Sequence, residues 1–332
     1  MTAGRVCPLH YRYSPRTMAA APALETSSLY VVGGLYGNPE ALDALEAITA
    51  REPEARVVVN GDCHFFDHEV ASFGAIQDRV LAHRLTAGNV EAELAEPSDA
   101  GCGCAYPDYV SDAAVARSNA IMAALKAACP WSRARELEGL DRTLTVAVGD
   151  QRVGVVHGDP SALAGWGLAA EALPPADGEL HRALGCGDGA LTARETLSDW
   201  FREAEVSIFA SSHTCLPVLT DYALGGARRA VINNGSAGMP NFCGTAYGLA
   251  SRIATTPHSS AVARLSVGDL YLELMPLCVD TDAWWQRFRD WWPPGSAAYQ
   301  SYAQRLAGDV AYRPEQAVRG SACWLGHPQQ FQ

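Results

Sequence analysis

Positive charge is scarce in this sequence. Its 332 residues include 25 Lys and Arg against 37 Asp and Glu, which gives a formal net charge of -12. Nucleic acids and anionic membranes are bound through basic surfaces, so this balance argues against both kinds of partner. It stays compatible with a phosphorylated small molecule, because a bound metal ion can reverse the local field.

Long apolar segments and a compact cysteine framework are also missing. Residues 1–28 contain no unbroken apolar run of signal-peptide length, and no other stretch is long enough to span a bilayer. The ten cysteines are spread over the chain, unlike those of small disulfide-rich proteins. We therefore expect a cytoplasmic protein with mostly reduced thiols.

The stretch Arg56 to Asp67 carries the first candidate site residue. Val57 to Val59 form a β-branched apolar run that stops at Asn60-Gly61-Asp62. This pattern is typical of a buried strand that delivers a carboxylate to the end of a sheet. Because ligand sites in open α/β sheets collect at that end, Asp62 is a candidate ligand.

Three further apolar segments end near a polar residue: Asn89 after 80–87, His157 after the hairpin 143–156, and His213 after the strand 206–210. With Asp62 they supply a carboxylate, an amide oxygen and two imidazoles, a donor set suited to Mn, Fe or Zn. Each residue alone has an ordinary structural interpretation, such as a helix cap, a turn or a core histidine. Four of them at parallel strand ends favour a metal site.

The chain resembles the calcineurin-like metallophosphoesterases over Leu29 to Leu274. Gly61-Asp62, Gly88-Asn89, His157-Gly158 and His213-Thr214 match four sequence blocks of that family in order. The resemblance implies a four-layer αββα sandwich that hydrolyses phosphoesters with bound metal ions. It also implies that the aspartate bridges two metals and that the asparagine and both histidines complete the second site.

The first metal-binding block of the family is degenerate here. It aligns with Gly34-Leu35-Tyr36-Gly37-Asn38, so a glycine and a tyrosine replace its aspartate and histidine. Cys215 replaces the closing histidine of the last block, and Val90, followed by Glu91, stands where another histidine is expected. Ligands of the first metal and the histidine that usually touches the leaving group are therefore changed.

Three interpretations follow. One ion on the four candidate ligands would polarise a phosphoryl oxygen and activate a water molecule. Alternatively, Cys215, Tyr36 and His64 rebuild a first site, whose thiolate and phenolate would favour zinc or ferric iron. In the third interpretation the protein binds a ligand without turning it over. We expect one divalent transition metal ion rather than two.

Two residues have candidate catalytic roles. His64 lies two positions after Asp62 and is a candidate acid for the leaving oxygen, or else a residue behind the site or at the surface. Cys215 is a candidate nucleophile with His213 as its base, which would make the protein a thiol-dependent hydrolase.

Substrate contacts are expected from Asn38, Asn89, Asn234 and Gly235. Asn233-Asn234-Gly235-Ser236 resembles the Asn-Pro-Gly-Ser turn that often follows the last metal block of the family. Glycine-rich turns of this kind can present backbone N–H groups to an anion.

Two loops are expected to determine substrate choice, because loops on a rigid scaffold carry specificity. One spans Gly101 to Asp108, and the other belongs to an insertion that contains Trp166. Cys102 and Cys104 have a metal-binding Cys-x-Cys spacing, but no second pair accompanies them. We favour a rigid loop near the mouth of the site.

We predict an N-terminal extension at 1–28, a phosphoesterase-like domain at 29–275 and a helical extension at 276–332. The domain has insertions at about 96–141 and 161–204. The tryptophan-rich extension is expected to pack on the domain instead of lying on a membrane. The predicted function is phosphomonoester or phosphodiester hydrolysis of a small phosphorylated metabolite, with a catalytically silent binding protein as the alternative; the oligomeric state is left open.

Overall fold

The structure is a computed structural model that describes residues 2–187 and 191–328. Met1, residues 188–190 of the predicted second insertion and residues 329–332 of the predicted C-terminal extension lie outside the described part. In these two ranges no helix is long and apolar enough to cross a bilayer.

Strands and helices alternate along most of the chain. In chain order the strands are β1 Leu24–Thr26, β2 Ser28–Val32, β3 Arg56–Asn60, β4 Arg84–Thr86, β5 Thr143–Val148, β6 Gln151–Val156, β7 Ile208–Ser211, β8 Pro217–Leu224, β9 Ala227–Asn234, β10 Tyr247–Ala254, β11 Ala263–Val267, β12 Leu270–Cys278 and β13 Cys323–Trp324. The α-helices are α1 Pro39–Thr49, α2 Val70–Leu81, α3 Asn89–Ala95, α4 Asp112–Ala128, α5 Trp131–Arg135, α6 Gly178–Leu184, α7 Arg194–Ala204, α8 Thr281–Trp291, α9 Ala297–Leu306 and α10 Pro314–Ala317.

The strands form two sheets. One has the order β1-β5-β6-β7-β9-β8, and the other has the order β13-β11-β12-β10-β2-β3-β4. In the first sheet β6, β7 and β9 run parallel, and in the second β2, β3 and β4 run parallel. Each sheet therefore brings the carboxyl ends of three strands side by side.

Successive side chains of a strand are buried on opposite faces of its sheet. One face packs on the other sheet and the opposite face packs on helices, which gives four layers. Val58 packs in the core shared with the first sheet, whereas Val59 packs with Leu42 of α1 on the outer face. Phe201 of α7 packs on Phe209 of β7, with ring centroids 4.6 Å apart, and covers the outer face of the first sheet. Because side chains of a strand alternate between faces, one run of valines serves both layers. The predicted αββα sandwich is confirmed.

A chain of buried polar side chains joins the two sheets at their carboxyl ends. Asn60 at the end of β3 donates from Nδ2 to the carbonyl of Val156 at 2.8 Å and to Ser212 Oγ at 2.9 Å. Ser212 donates to Asn234 Oδ1 at 2.8 Å, and Asn234 Nδ2 donates to the carbonyl of Gly33 at 3.0 Å. These bonds fix the relative positions of five strand ends directly below the loops that follow them.

Several elements differ from the sequence-based expectation. The segment 80–87 is not one strand: α2 runs to Leu81, and β4 begins at Arg84. Strands β8 and β10 were not predicted. In β10 the polarity of Arg252 conceals the strand, since this residue is 2% exposed and forms ion pairs with Glu52 and Glu273. A sequence pattern cannot show that a buried charge is paired.

The terminal segments are part of the sheets. β1 lies within the predicted N-terminal extension and pairs in parallel with β5. β12 continues to Cys278, beyond the predicted domain end at 275, and β13 pairs with β11. In α8 the side chains of Trp284 and Phe288 are buried against the domain, as expected for a packed aromatic stripe.

Removing the hydroxyl of Ser212 should destabilise the protein. Ser212→Ala leaves Asn234 Oδ1 without its donor and takes one acceptor from Asn60, which should cost about 1–3 kcal/mol of unfolding free energy. The control is Ser211→Ala, because the buried Ser211 hydroxyl has no hydrogen-bond partner among the described residues. Urea denaturation should show a lower midpoint for Ser212→Ala alone. Equal losses in both variants would contradict the role of the network.

Candidate metal centre

Four candidate ligands meet at the carboxyl ends of the strands. Asp62 follows β3, Asn89 begins α3 after β4, and His157 and His213 follow β6 and β7. Measured from His157 Nε2, Asp62 Oδ1 lies at 3.4 Å, Asn89 Oδ1 at 3.2 Å and His213 Nδ1 at 3.2 Å. Ligand atoms of the aspartate and the two histidines all lie within 4.8 Å of one another.

The other ring nitrogen of each histidine contacts a backbone carbonyl. His157 Nδ1 lies 2.7 Å from the carbonyl of Asn60, and His213 Nε2 lies 3.1 Å from that of Cys104. A carbonyl only accepts, so these nitrogens carry protons, and when both rings are neutral His157 Nε2 and His213 Nδ1 direct lone pairs at each other. Asn89 Nδ2 donates to the carbonyl of Cys102 at 2.9 Å, which leaves its oxygen facing the same point.

Asp62, His157 and His213 shift one another's pKa values. Burial lowers the pKa of His157, but the adjacent Asp62 carboxylate outweighs it, and the net pKa is raised. Burial raises the pKa of Asp62, but the charge of His157 outweighs it, and the net pKa is lowered. Burial and the charge of His157 lower the pKa of His213 to about 4, so this ring is neutral at neutral pH.

Two imidazole nitrogens and two oxygens that point at one place fit a metal ion. The four residues are at most 6% exposed, so their lone pairs have little access to water. Buried acceptors without donors are costly, and a cation satisfies all of them together. Mixed nitrogen and oxygen donors suit Mn, Fe or Zn. The group can therefore hold a metal ion.

Glu91 holds the loop that carries Asp62. Its carboxylate accepts the backbone N–H groups of Asp62 at 2.8 Å, Cys63 at 2.9 Å and Gly88 at 2.9 Å. The loops approach so closely that a Cβ on Gly61 would lie 2.4 Å from the nitrogen of Gly88. Glu91 was not among the predicted site residues. Its position three residues after a helix cap is the available signal, because this is the spacing of a capping box.

Tyr36 and Cys215 occupy the region of the changed first block. The phenol oxygen and the sulfur are 2.8 Å apart, and burial raises the pKa of both groups. A neutral phenol and thiol are poor metal ligands, since the anion is the ligating form. Cys215 is also absent from the group of clustered metal-binding side chains found in the described residues. The cluster of metal-binding side chains found in the described residues thus does not extend to the changed first block.

Backbone strain concentrates around this group. Tyr36, Asp62, Ala105 and Cys215 have positive φ values of 57°, 56°, 49° and 62°. Each such residue costs about 1–3 kcal/mol and persists only where its surroundings impose the conformation. Ala105 connects two residues that line the cavity described below. The strained residues therefore lie around the metal group and its cavity, where several side chains must face the same point.

His64 does not lie at the metal group. Its ring is fully buried, stacks on Phe73 with centroids 3.8 Å apart, and faces Asp67 with Nδ1 3.4 Å from the carboxylate. The expectation that His64 is a ligand or a leaving-group acid is wrong for this geometry. Asp62 adopts a left-handed conformation, and the chain after it turns into the core.

Cys215 is also not placed as a nucleophile with a histidine base. Its sulfur contacts the backbone carbonyl of His213 at 3.4 Å, whereas both ring nitrogens of His213 are directed to His157 and Cys104. Burial raises the pKa of the Cys215 thiol, which disfavours the reactive thiolate. The hypothesis of a thiol-dependent hydrolase is therefore not supported.

The predicted substrate contacts are engaged inside the protein. Asn38 caps α1 through the N–H of Ala41 and donates to the carbonyl of Gly238, while Asn234 belongs to the network between the sheets. The N–H of Gly235 donates to the side chain of Asn233 at 2.8 Å. These three predictions are wrong because hydrogen bonds within the fold use the predicted groups. Asn89 belongs to the metal group.

Cys102 and Cys104 lie in a rigid loop at the site, as favoured above. Both are buried, and the carbonyl of Cys104 accepts from His213 and, at 2.9 Å, from Trp166 Nε1. The loop therefore orients one of the metal ligands through its backbone. Neither sulfur belongs to the clustered metal-binding group.

A cavity of about 170 Å³ opens above the metal group. Asp62, Asn89 and His213 form part of its wall. The remaining wall includes five aromatic side chains: Tyr36, Phe65, Tyr106, Trp166 and Tyr302. Tyr302 lies on α9, in the predicted C-terminal extension, and nothing in the sequence pattern indicated that it reaches the site.

Comparisons with known proteins identify the fold. No protein-family model matches the chain, and no curated protein matches it by sequence. A solved metallophosphoesterase from Sphaerobacter thermophilus is similar with a TM-score of 0.51 and 13% identity, covering 86% of this chain and 100% of that one. A hypothetical protein from Pyrococcus horikoshii OT3 is similar with a TM-score of 0.52 and 15% identity, covering 79% and 92% of the two chains. The chain therefore has the calcineurin-like metallophosphoesterase fold that its sequence blocks predicted.

Proposed function

We propose that this protein is a metal-dependent hydrolase of a small phosphoester. The observation that carries the proposal is the convergence of four buried acceptor groups on one point: Asp62, Asn89, His157 and His213. A metal ion held there would polarise a phosphoryl oxygen and lower the pKa of a water molecule. The cavity of about 170 Å³ beside these groups limits the substrate to a small molecule.

The protein contributes orientation and a proton donor. The carbonyls of Asn60 and Cys104 fix the tautomers of the two histidines, and Glu91 fixes the position of Asp62. Burial raises the pKa of Tyr302, so its phenol keeps its proton at neutral pH and can donate a hydrogen bond to a phosphoryl or leaving oxygen. No histidine is needed at position 64 for that role.

Ligand binding without turnover is the second candidate function. The observation that favours it is the change at three positions of the family's sequence blocks, where Tyr36, Val90 and Cys215 now stand. A protein of this kind would retain the metal and bind a phosphorylated ligand, but would release no alcohol or phosphate.

The first test replaces the two histidine ligands. His157→Ala and His213→Ala should each lose bound metal and reduce phosphoester hydrolysis to background, because each removes one of four donors. Metal content is measured by mass spectrometry after reconstitution with Mn, Fe or Zn. Hydrolysis is measured on a panel of small phosphomonoesters and phosphodiesters. His83→Ala is the control, since His83 is partly exposed and is not part of the metal group.

The outcomes separate the two candidates. Full metal content in both ligand variants would overturn the assignment of the centre. Stable metal binding by the unchanged protein with no hydrolysis of any substrate in the panel would favour ligand binding without turnover.

Glu91 provides a second test of the same centre. Glu91→Gln replaces a carboxylate that accepts three backbone N–H groups, so the loop of Asp62 should lose its fixed position. Partners that orient metal ligands in this way typically contribute about 10–100-fold to metal affinity. Titration of the metal-free variant should show a loss in this range. Glu96→Gln, exposed at the end of the same helix, should bind metal normally; equal affinities of the two variants would refute the positioning role.

A further inference from the structure

The wall of the cavity is aromatic where a second ion would require polar ligands. Tyr36 stands at the changed first block, Phe65 follows β3, Tyr106 and Trp166 come from the two predicted specificity loops, and Tyr302 comes from α9. Five elements far apart in the sequence thus each place one ring beside the metal group. A wall of this kind favours a ligand that interacts well with the surfaces of aromatic rings.

The cavity offers no cationic side chain to an anion. No lysine or arginine is among the described residues that line it, and Asp62 is the one carboxylate in the lining. Arg305 is near, but its guanidinium donates to the carbonyls of Pro240 at 2.9 Å and Cys215 at 2.7 Å. A phosphate would bind through the metal ion. A second anionic group would meet no positively charged side chain among the described lining residues.

The rings do not form a slot for a flat base. Phe65 and Tyr302 meet at an interplanar angle of 85°, Tyr36 and Phe65 at 62°, and Tyr106 and Trp166 at 46°. Stacking requires near-parallel faces, whereas these rings stand at large angles around one space. Rings arranged in this way enclose a compact, rounded group, as aromatic cages enclose quaternary ammonium ions.

Two of the three phenol groups at the wall have partners in the protein. Tyr36 pairs with Cys215, and the Tyr106 hydroxyl lies 2.9 Å from that of Ser118. The aromatic wall therefore offers chiefly ring surface to the occupant of the cavity. The cavity volume of about 170 Å³ suits a phosphate with a short substituent.

We propose that the substrate is a small phosphoester whose leaving group carries a quaternary or methylated ammonium, with the cation held by the ring surfaces of Tyr36, Phe65, Tyr106, Trp166 and Tyr302. This inference rests on the proposed function. Hydrolysis forms a bond from the water oxygen to phosphorus and breaks the bond from phosphorus to the alcohol oxygen. That oxygen takes the electron pair and one proton of the water, and the other proton stays on the phosphate product.

The test compares two phosphate esters of the same shape. Phosphocholine carries a quaternary ammonium, and 3,3-dimethylbutyl phosphate has carbon in place of the nitrogen. Binding to the protein is measured by calorimetry on samples of known metal content. Cation–π attraction in a desolvated cage should make phosphocholine bind roughly tenfold more tightly than the neutral isostere. Equal binding, or tighter binding of the isostere, would overturn the proposal.

Variants of α9 locate the preference. Tyr302→Leu removes one ring and should reduce the ratio of the two affinities severalfold, whereas Tyr302→Phe keeps the ring and should retain the ratio. Tyr299→Leu is the matched control, because Tyr299 lies one turn away on the same helix and does not line the cavity. Circular dichroism verifies the fold of each variant. An unchanged ratio in folded Tyr302→Leu would contradict the proposed cage.

Hydrolysis of both esters is measured in parallel and separates this inference from the proposed function. A retained preference for phosphocholine without any hydrolysis supports the cation cage and overturns the hydrolase. Equal binding and hydrolysis of the two esters supports the hydrolase and overturns the cage.

Discussion

The buried bonds among Asn60, Ser212 and Asn234 are the constraint on which the site depends. A metal centre assembled from two sheets requires that their strand ends keep a fixed separation, and apolar packing between sheets gives little directional control. Hydrogen bonds between buried amide and hydroxyl groups do give directional control, because a shift of one sheet would leave buried polar atoms without partners. Asn60 links both functions: its side chain joins the sheets, and its carbonyl lies 2.7 Å from His157 Nδ1. The register of the sandwich and the tautomer of a ligand are therefore set by one residue.

Hydrogen bonds also orient two of the remaining candidate ligands, His213 and Asp62. His213 is oriented by the carbonyl of Cys104, and Asp62 is held in a left-handed conformation by the three bonds to Glu91. The fold thus keeps lone pairs directed at one point in spite of their mutual repulsion and of backbone strain. Such an arrangement is costly without a cation, and binding a cation offsets that cost. The stability of the loops and the affinity for metal are consequently two aspects of one balance.

The sequence predicted the αββα architecture, because strand periodicity and short blocks at strand ends are local signals, and the four candidate ligands that it named lie together in the structure. The sequence-based predictions failed where the direction of a side chain depends on a single dihedral angle or on a partner far away in the sequence. His64 follows Asp62 by two residues, yet the positive φ of Asp62 turns the chain and buries His64 against Phe73. Asn234 lies in a block that resembles a substrate-binding turn, but its amide joins the two sheets. Tyr302 arrives from a helix about 240 residues later than Asp62, a contact that only the tertiary fold creates.

The change of the first block has an electrostatic consequence that connects the metal group with the aromatic wall. A divalent ion with Asp62 as its one carboxylate leaves a net charge of about +1, whereas a phosphomonoester dianion carries about −2 near neutral pH. A second ion would compensate this difference, but Tyr36 and Cys215 are held as neutral groups where its ligands would stand. A positive charge on the substrate itself would balance the site without a second ion, and the ring faces of the cavity wall would stabilise such a charge. On the proposal above, the changed first block and the aromatic wall are therefore parts of one electrostatic arrangement.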